Sequence, residues 1–238
     1  MLLAAGLGTR LRPLTERTPK PLLEVGGVAI LERAARRLVR AGANRLIVNT
    51  HHLGAQIQAF VAARDGFGVE VCFSPEVGDA PLDTGGGLVA AERFFRKNAP
   101  FFLHNADILT DLPLDEMYDI HAQSGALASV AVMERETSRY LLFDREGLMG
   151  RIDEKEGIDL RVREPVGPVR KLAFAGVHVV SPRIFGLITE EGAFSILDPY
   201  LRLAGQGEVV SPFRVDDYTW IDIGRPEQLE EARRRFGE

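Results

Sequence analysis

Leu3-Ala4-Ala5-Gly6-Leu7-Gly8-Thr9-Arg10-Leu11-Arg12-Pro13-Leu14-Thr15, followed by Thr18-Pro19-Lys20-Pro21-Leu22, opens the chain. A short apolar strand runs straight into a glycine loop carrying Arg10, Arg12 and Lys20. Such a loop can turn backbone N–H groups and cations toward a polyphosphate. Two familiar phosphate loops fail at specific positions: the dinucleotide fingerprint needs a third small residue where this chain has Leu11, and no Gly-Lys-Ser/Thr of the P-loop type occurs. More than twenty residues separate the strand end near Ala5 from the first amphipathic helix near Ala29. That is longer than an ordinary strand-to-helix connection, and its prolines and apolar residues favour a functional loop over a disordered one.

Outward from the loop, Ile30, Leu31, Ala34, Ala35, Leu38 and Val39 recur at helical spacing, with Gly42 as a stop before the strand Arg45–Thr50. The alternation continues with a helix from Gly54 to Arg64, a strand Val69–Phe73, a helix Leu88–Lys97 and an apolar strand Pro100–His104. This predicts an α/β, Rossmann-like fold: a mixed, mainly parallel sheet with helices on both faces and ligands at the carboxyl ends of the strands. After Leu127 the rhythm changes to strands at Leu127–Met133, Tyr140–Phe143 and Phe174–Val180, around a polar stretch from Asp153 to Arg170. Helical segments near Pro182–Ile188 and Ile196–Leu203 lead to a strand ending at Trp220–Gly224, and Pro226 opens a final helix. We expect one domain over 1–238, with a nucleotide-binding core over 1–126 and a sheet extension with a small substrate lobe over 127–238.

Composition narrows the class. The 238 residues are 45% apolar, enough for a sizeable core, and the net charge of −5 gives no basic surplus for nucleic acid. The start has no cationic region and meets Gly6 too early for a signal peptide, and no apolar run spans a membrane, so a cytoplasmic protein is expected. Residues before Met1 in the natural protein would lengthen the first strand. Cys72, the one cysteine, lies in Val69–Phe73 and reads as a small core residue.

Ala4-Ala5-Gly6-x-Gly8-Thr9-Arg10-Leu11-x-Pro13-Leu14-Thr15 with Pro19-Lys20-Pro21-Leu22 resembles the signature of sugar-1-phosphate nucleotidyltransferases, also called nucleoside-diphosphate-sugar pyrophosphorylases. The resemblance covers nearly the whole chain, most strongly at the start and well near Asp107 and Asp222. Thr84-Gly85-Gly86-Gly87, the His51-His52-Leu53 turn and the compact length look most similar to the group of N-acetylmuramate-1-phosphate uridylyltransferases and mannose-1-phosphate guanylyltransferases. The resemblance implies attack of a sugar-1-phosphate oxygen on the α-phosphorus of a nucleoside triphosphate, with Mg²⁺ as cofactor. That nucleophile is already anionic, so the absence of a Ser/His/Asp or Cys/His constellation does not count against activity.

Residue roles follow from motif position. Asp107, in His104-Asn105-Ala106-Asp107-Ile108, and Asp222, in Trp220-Ile221-Asp222-Ile223-Gly224, both stand at predicted strand ends. Such a pair suits Mg²⁺, which takes one or two carboxylates plus phosphate oxygens; the competing reading is that either aspartate merely caps the next element. In the family, aspartates of these two motifs bind the metal. Family members usually carry Gly-Asp where this chain has Ala106-Asp107, so the extra methyl is expected to narrow the space for ribose or sugar. Arg10 is expected on the pyrophosphate side and Lys20 nearer the reacting centre, with Leu3, Ala4, Ala5, Gly6, Gly8 and Thr9 along the nucleotide.

Leu82-Asp83-Thr84-Gly85-Gly86-Gly87, just before a predicted helix, resembles the family segment lying against base and ribose, which gives Thr84, Gly85 and Gly86 as contacts. A flexible hinge is the rival reading. His51 and His52 close the second strand, where alternation works against a shared zinc ion, and His52 is the nucleotide candidate. For the sugar phosphate, Asn105, Glu154, Lys155 and Gly176 are the candidates. Glu154-Lys155 resembles the family's Glu-Lys-Pro with Glu156 in place of proline, and Lys171 rivals Lys155. Tyr218 and Trp220 read as packing residues.

Two other functions fit parts of the pattern. A catalytically silent nucleotide-sugar sensor would keep the fold, but Arg10, Lys20, Asp107 and Asp222 are all present. A glycosyltransferase using a finished nucleotide sugar is mimicked by Asn105-Ala106-Asp107 and lacks the Pro-Lys-Pro loop. Base, sugar and oligomeric state, including a homo-oligomer, stay open at this level.

Overall fold

The computed structural model describes residues 1–236; positions 237 and 238 of the expected domain lie outside the described residues. In chain order the elements begin β1 (Leu2–Leu3), β2 (Glu24–Val25), β3 (Val28–Ala29), α1 (Ile30–Arg40), β4 (Arg45–Thr50), α2 (Gly54–Ala62), β5 (Glu70–Pro75) and α3 (Asp83–Ala90). They continue with β6 (Phe101–Asn105), β7 (Ile108–Thr110), α4 (Leu114–Ser124), β8 (Ala128–Met133), β9 (Arg139–Asp144), β10 (Gly147–Asp153) and β11 (Ile158–Arg161). The last are β12 (Arg170–Val180), α5 (Leu197–Gly205), β13 (Val210–Arg214), β14 (Trp220–Asp222) and α6 (Pro226–Phe236).

Ten strands form one mixed sheet. The part carrying the glycine loop is parallel, in the order β5-β4-β1-β6, with Leu2 opposite Val48 on one side and His104 on the other. β12 joins β6 antiparallel and pairs on its other edge with β8, which β13 flanks in parallel. Its first residues, Arg170 to Leu172, pair instead with β9, and β10 and β11 follow as an antiparallel meander. The strand makes this change through a register shift between Phe174 and His178, where Gly176 has φ +75°. A β-bulge at a left-handed glycine re-aims a strand in this way.

Alternation along the central strands divides the core. Leu2, Leu46, Val48, Phe102 and Val177 face α1, α2 and α4. Met1, Ile47, Leu103 and Val130 face α3 and α5 on the other side. The sheet is therefore covered on both faces, as the sequence predicts, and each fully buried Leu or Val contributes about 1.5–3 kcal/mol of transfer free energy. A third, smaller core gathers Leu11 of the glycine loop with Leu109, Ile221, Ile223 and Leu229. It holds the loop, β7, β14 and α6 together.

Several expectations change. The segment expected to precede a helix at Leu88 is itself the start of α3, and the helix ends at Ala90 rather than Lys97. Glycine's low helix propensity argues for a loop there, but packing described below requires glycine inside the helix. α4 was not anticipated, although Gly125 at φ +67° ends it as a left-handed cap. The polar stretch after Asp153 contains β11 as the edge of the meander. The strand of Asp222 lies outside the main sheet, paired antiparallel with β7.

Candidate active site

The glycine loop is shaped by its own contacts. Gly8 has φ +63°, and a Cβ there would stand 2.9 Å from Thr15 Cγ2 and 3.2 Å from Lys20 Cβ. Only glycine allows the chain to close so tightly. Thr15 Oγ1 donates to the Gly8 carbonyl at 2.8 Å, and the Leu11 N–H donates to the same oxygen at 2.9 Å. Gly6 is exposed with open space over its α-carbon. Lys20, held between two prolines and 9% exposed, donates from Nζ to Asp107 Oδ2.

Asp107 follows β6, and the backbone joins it to Asp222. β14 pairs with β7 so that Asp222 lies opposite Ile108, and the Ile223 N–H donates to the Asp107 carbonyl at 3.0 Å. Arg10 reaches the same turn: a Cβ on Gly224 would be 3.2 Å from its Nη2. A cavity of about 400 Å³ opens between Gly6–Arg10, Lys20, Asp107 and Gly224. Burial raises the pKa of Asp222, and the charge of Asp107 raises it further; Lys20, Arg10 and Arg135 pull it back down.

Among the described residues no cluster of three or more His, Cys, Asp or Glu forms a complete metal cage. Asp107 on the cavity wall and Asp222 beside it, two carboxylates that repel each other, are instead a partial donor set of hard oxygens, which fits a divalent cation completed by phosphate and water.

On the nucleotide side, Ala4 N–H donates to Asn49 Oδ1 at 2.6 Å, Asn49 Nδ2 to Glu76 Oε1 at 2.6 Å, and Leu82 N–H to Glu76 Oε2 at 2.7 Å. This buried relay ties the glycine loop to the turn before α3. The sequence reading missed both side chains, yet each is a polar residue at the end of a parallel strand, the signal used for Asp107.

The close approach allowed by the α3 glycines is taken up by protein. Gly85 N–H donates to the Phe194 carbonyl at 2.9 Å, and Thr84 Oγ1 accepts from Ile196 N–H at 2.9 Å. A Cβ on Gly86 would stand 2.3 Å from the Gly192 carbonyl oxygen, and one on Gly87 would stand 2.7 Å from Glu76 Oε1. Glycine is required here to seat segment 192–194 and the relay. His52 is exposed beyond β4, and His51 Nε2 lies 2.9 Å from the Gly78 carbonyl, so the two histidines go separate ways.

On the other side, a Cβ on Gly176 would stand 2.9 Å from Asn105 Nδ2, and the buried Asn105 Oδ1 has no partner. Trp220 Nε1 donates to the Ala175 carbonyl at 2.8 Å. The Ala106 methyl, expected to narrow this space, is buried in the core facing α1 and takes none of it. Glu154 and Lys155 are exposed on the β10–β11 turn, which Asp153 orders by accepting the Lys155 N–H at 3.1 Å; Lys171 is also exposed. The structure thus gathers Arg10, Lys20, Asp107 and Asp222, and leaves both sugar-phosphate lysines at the periphery.

Known proteins resemble this chain in sequence and in fold. The chain is similar to the N-acetylmuramate alpha-1-phosphate uridylyltransferase of Neisseria meningitidis serogroup B, at 32% identity over 238 residues, 100% of this chain and 97% of that protein. It is also 32% identical over 232 residues to the mannose-1-phosphate guanyltransferase of Kluyveromyces lactis, covering 96% of this chain and spanning 62% of that protein's length. These relatives are sugar-1-phosphate nucleotidyltransferases. The fold matches the UTP-bound UGPase of Acinetobacter baumannii (TM-score 0.78, 19% identity, 99% of this chain and 92% of that one). It matches equally the inositol-1-phosphate CTP transferase of T. maritima (TM-score 0.78, 17% identity, 100% and 95%). The family model described as Nucleotidyl transferase fits residues 1–237, which includes the glycine loop and both strand-end aspartates, and the chain belongs to that family.

Proposed function

We propose that this protein transfers a nucleotidyl group from a nucleoside triphosphate to a sugar-1-phosphate, giving a nucleoside-diphosphate sugar and pyrophosphate. The observation that carries the reading is that Lys20, Arg10 and Asp107 line one cavity beside the glycine loop, with Asp222 close enough to feel all three charges. An oxygen of the sugar phosphate forms the new bond to the α-phosphorus. The bond from that phosphorus to the bridging oxygen breaks, and pyrophosphate leaves with the electron pair. The attacking oxygen is already ionised, so the protein need only align two anions and offset their charge.

Leu3 to Thr9 lie along the nucleotide, Arg10 receives the departing pyrophosphate and Lys20 the phosphates next to the reacting centre. The α3 glycines shape the base side from behind, through segment 192–194. Asn105 and Gly176 border the sugar, and the Glu154-Lys155 turn is the candidate to approach the sugar phosphate. Asp107 and Asp222 would hold Mg²⁺, which supplies charge neutralisation at the phosphates when bound. The chain acts as one nucleotidyltransferase domain in the cytoplasm, where nucleoside triphosphates are held.

The test is pyrophosphate release with Mg²⁺ across UTP, GTP, CTP, dTTP and ATP against mannose-, glucose- and N-acetylmuramate-1-phosphate. Release requiring both substrates establishes the activity and names its base and sugar. Nucleotide binding without turnover on any acceptor would support a silent sensor instead.

A further inference from the structure

Arg135, on the chain just after β8, has no role in the reading above, yet its surroundings are those of a ligand-binding cation. Its guanidinium lies over the Trp220 ring, 4.6 Å from the centroid. Trp220 and Asp222 are two residues apart on β14 and so project from the same face of that strand. The other side of the wall is the β12 bulge: Arg135 Nη2 donates to the Phe174 carbonyl at 3.4 Å, and Trp220 Nε1 holds the Ala175 carbonyl. Gly176 comes next, in contact with Asn105. A chain of contacts therefore runs from Asn105, two residues before Asp107, through Gly176 and Ala175 to Trp220 and Arg135.

Three observations set this arginine apart from a structural pin. It is half-buried, its Nε is buried without a hydrogen-bond partner, and no carboxylate pairs with it within 4 Å among the described residues. The neighbouring Arg214, by contrast, is paired with both Glu134 and Asp216. The groups facing Arg135 are Asp222 and Tyr140, and its charge is felt at the Asp222 carboxyl. A half-buried cation short of acceptors bears a desolvation cost that an incoming oxyanion would offset. Stacking on Trp220 fixes the guanidinium plane.

We propose that Arg135 binds an oxyanion of the acceptor substrate, either its phosphate or a carboxylate carried on the sugar, and so selects anionic acceptors on the Asp222 side of the cavity. This rests on the transferase reading. It supplies a sugar-side cation from the wall itself, where Lys155 and Lys171 stand exposed at the periphery.

The test compares wild type with Arg135→Gln and Arg135→Lys in steady-state turnover, using mannose-1-phosphate and N-acetylmuramate-1-phosphate as acceptors. The same two compounds and inorganic phosphate are titrated calorimetrically onto each protein. Loss of one charge-assisted bond predicts an acceptor KM about tenfold to a hundredfold higher in the glutamine variant, with the nucleotide KM within about twofold of wild type. A purely structural arginine would move both substrates together. An effect on both acceptors identifies the phosphate as the bound group; an effect on the carboxylate-bearing acceptor alone identifies the carboxylate. An unchanged acceptor KM, or equal changes for nucleotide and acceptor, overturns the proposal. If wild type turns over neither acceptor, the transferase reading fails separately, and calorimetry still decides: weaker sugar-phosphate binding in the variant supports Arg135, and equal or absent binding refutes it. Should the glutamine variant not fold, the lysine variant keeps the charge without the fork, and the same comparison applies to it.

Discussion

The Ile223 N–H donates to the Asp107 carbonyl at 3.0 Å, and this bond closes a two-stranded pairing in which Asp222 lies opposite Ile108. It is the contact that sets Asp222 beside the distant Asp107. Because burial and the charge of Asp107 raise its pKa, Asp222 ionises less readily in the native protein than in the unfolded chain. Ionised Asp222 therefore costs stability at neutral pH, and the cost disappears as pH falls and the carboxyl protonates.

Replacing the charge tests this directly. In EDTA at pH 7, Asp222→Asn is expected to melt about 2–4 °C above wild type, the shift for roughly 1 kcal/mol in a chain of this size. Millimolar Mg²⁺ should raise the melting temperature of wild type and leave the variant unmoved, while turnover is lost. Scanning calorimetry with and without Mg²⁺ reads both effects, and a variant melting below wild type in EDTA would contradict the repulsion argument.

Lys20 carries a different burden. Its stem is fixed between Pro19 and Pro21 and its ammonium pairs with Asp107, so it is pre-positioned and pays little entropy when phosphate arrives. Lys20→Met is expected to keep native circular dichroism and to lose about 10²–10³ in kcat, the usual scale for one charge-stabilising donor. Turnover within threefold of wild type would remove Lys20 from the phosphates.

How far the sequence carries depends on the range of the deciding contact. α1, β4 and β6 are legible because their signals are local: apolar spacing at 3.6, Gly42 after the helix, an unbroken apolar run. The glycine loop, Lys20 and both aspartates are legible because their motifs are contiguous. α3 is not, because the reason for its glycines is the Gly192 carbonyl and the Phe194 ring, residues over a hundred positions away. The Asn49–Glu76 relay and the Arg135–Trp220 stack are likewise made by tertiary contact, and no window of sequence contains both partners of either.

The glycines separate two uses of the same residue. Gly86→Ala forces a methyl against backbone oxygen at 2.3 Å and is expected to cost about 1–3 kcal/mol, with segment 192–194 displaced. Gly85→Ala meets mainly the Phe194 ring, which can turn aside, and should cost less. Gly6→Ala meets nothing within 4 Å and should leave stability within about 0.5 kcal/mol while weakening nucleotide binding at the loop. Urea unfolding ranks the three, and a Gly6 variant less stable than the Gly86 variant would reverse the argument.

Acid sensitivity has a separate origin in the sheet. His178 and His104 are 0% and 1% exposed, and burial lowers their pKa from 6.5 to about 3 and about 4. The unfolded chain takes up protons below pH 6.5 that these native imidazoles refuse, so stability is full above that value and declines as pH falls toward 4. Each histidine contributes a slope of about 1.4 kcal/mol per pH unit across that window. His178 Nδ1 lies 3.2 Å from the Tyr200 hydroxyl, so His178→Leu leaves that hydroxyl unpaired and should cost about 1–3 kcal/mol at pH 7, a cost that shrinks as pH falls. Its distinguishing mark is the slope: urea midpoints between pH 7 and 4.5 should fall less steeply in the variant, by one proton's worth. A variant curve merely displaced downward and parallel to wild type would show that native His178 does not refuse the proton, and would leave the acid sensitivity to His104.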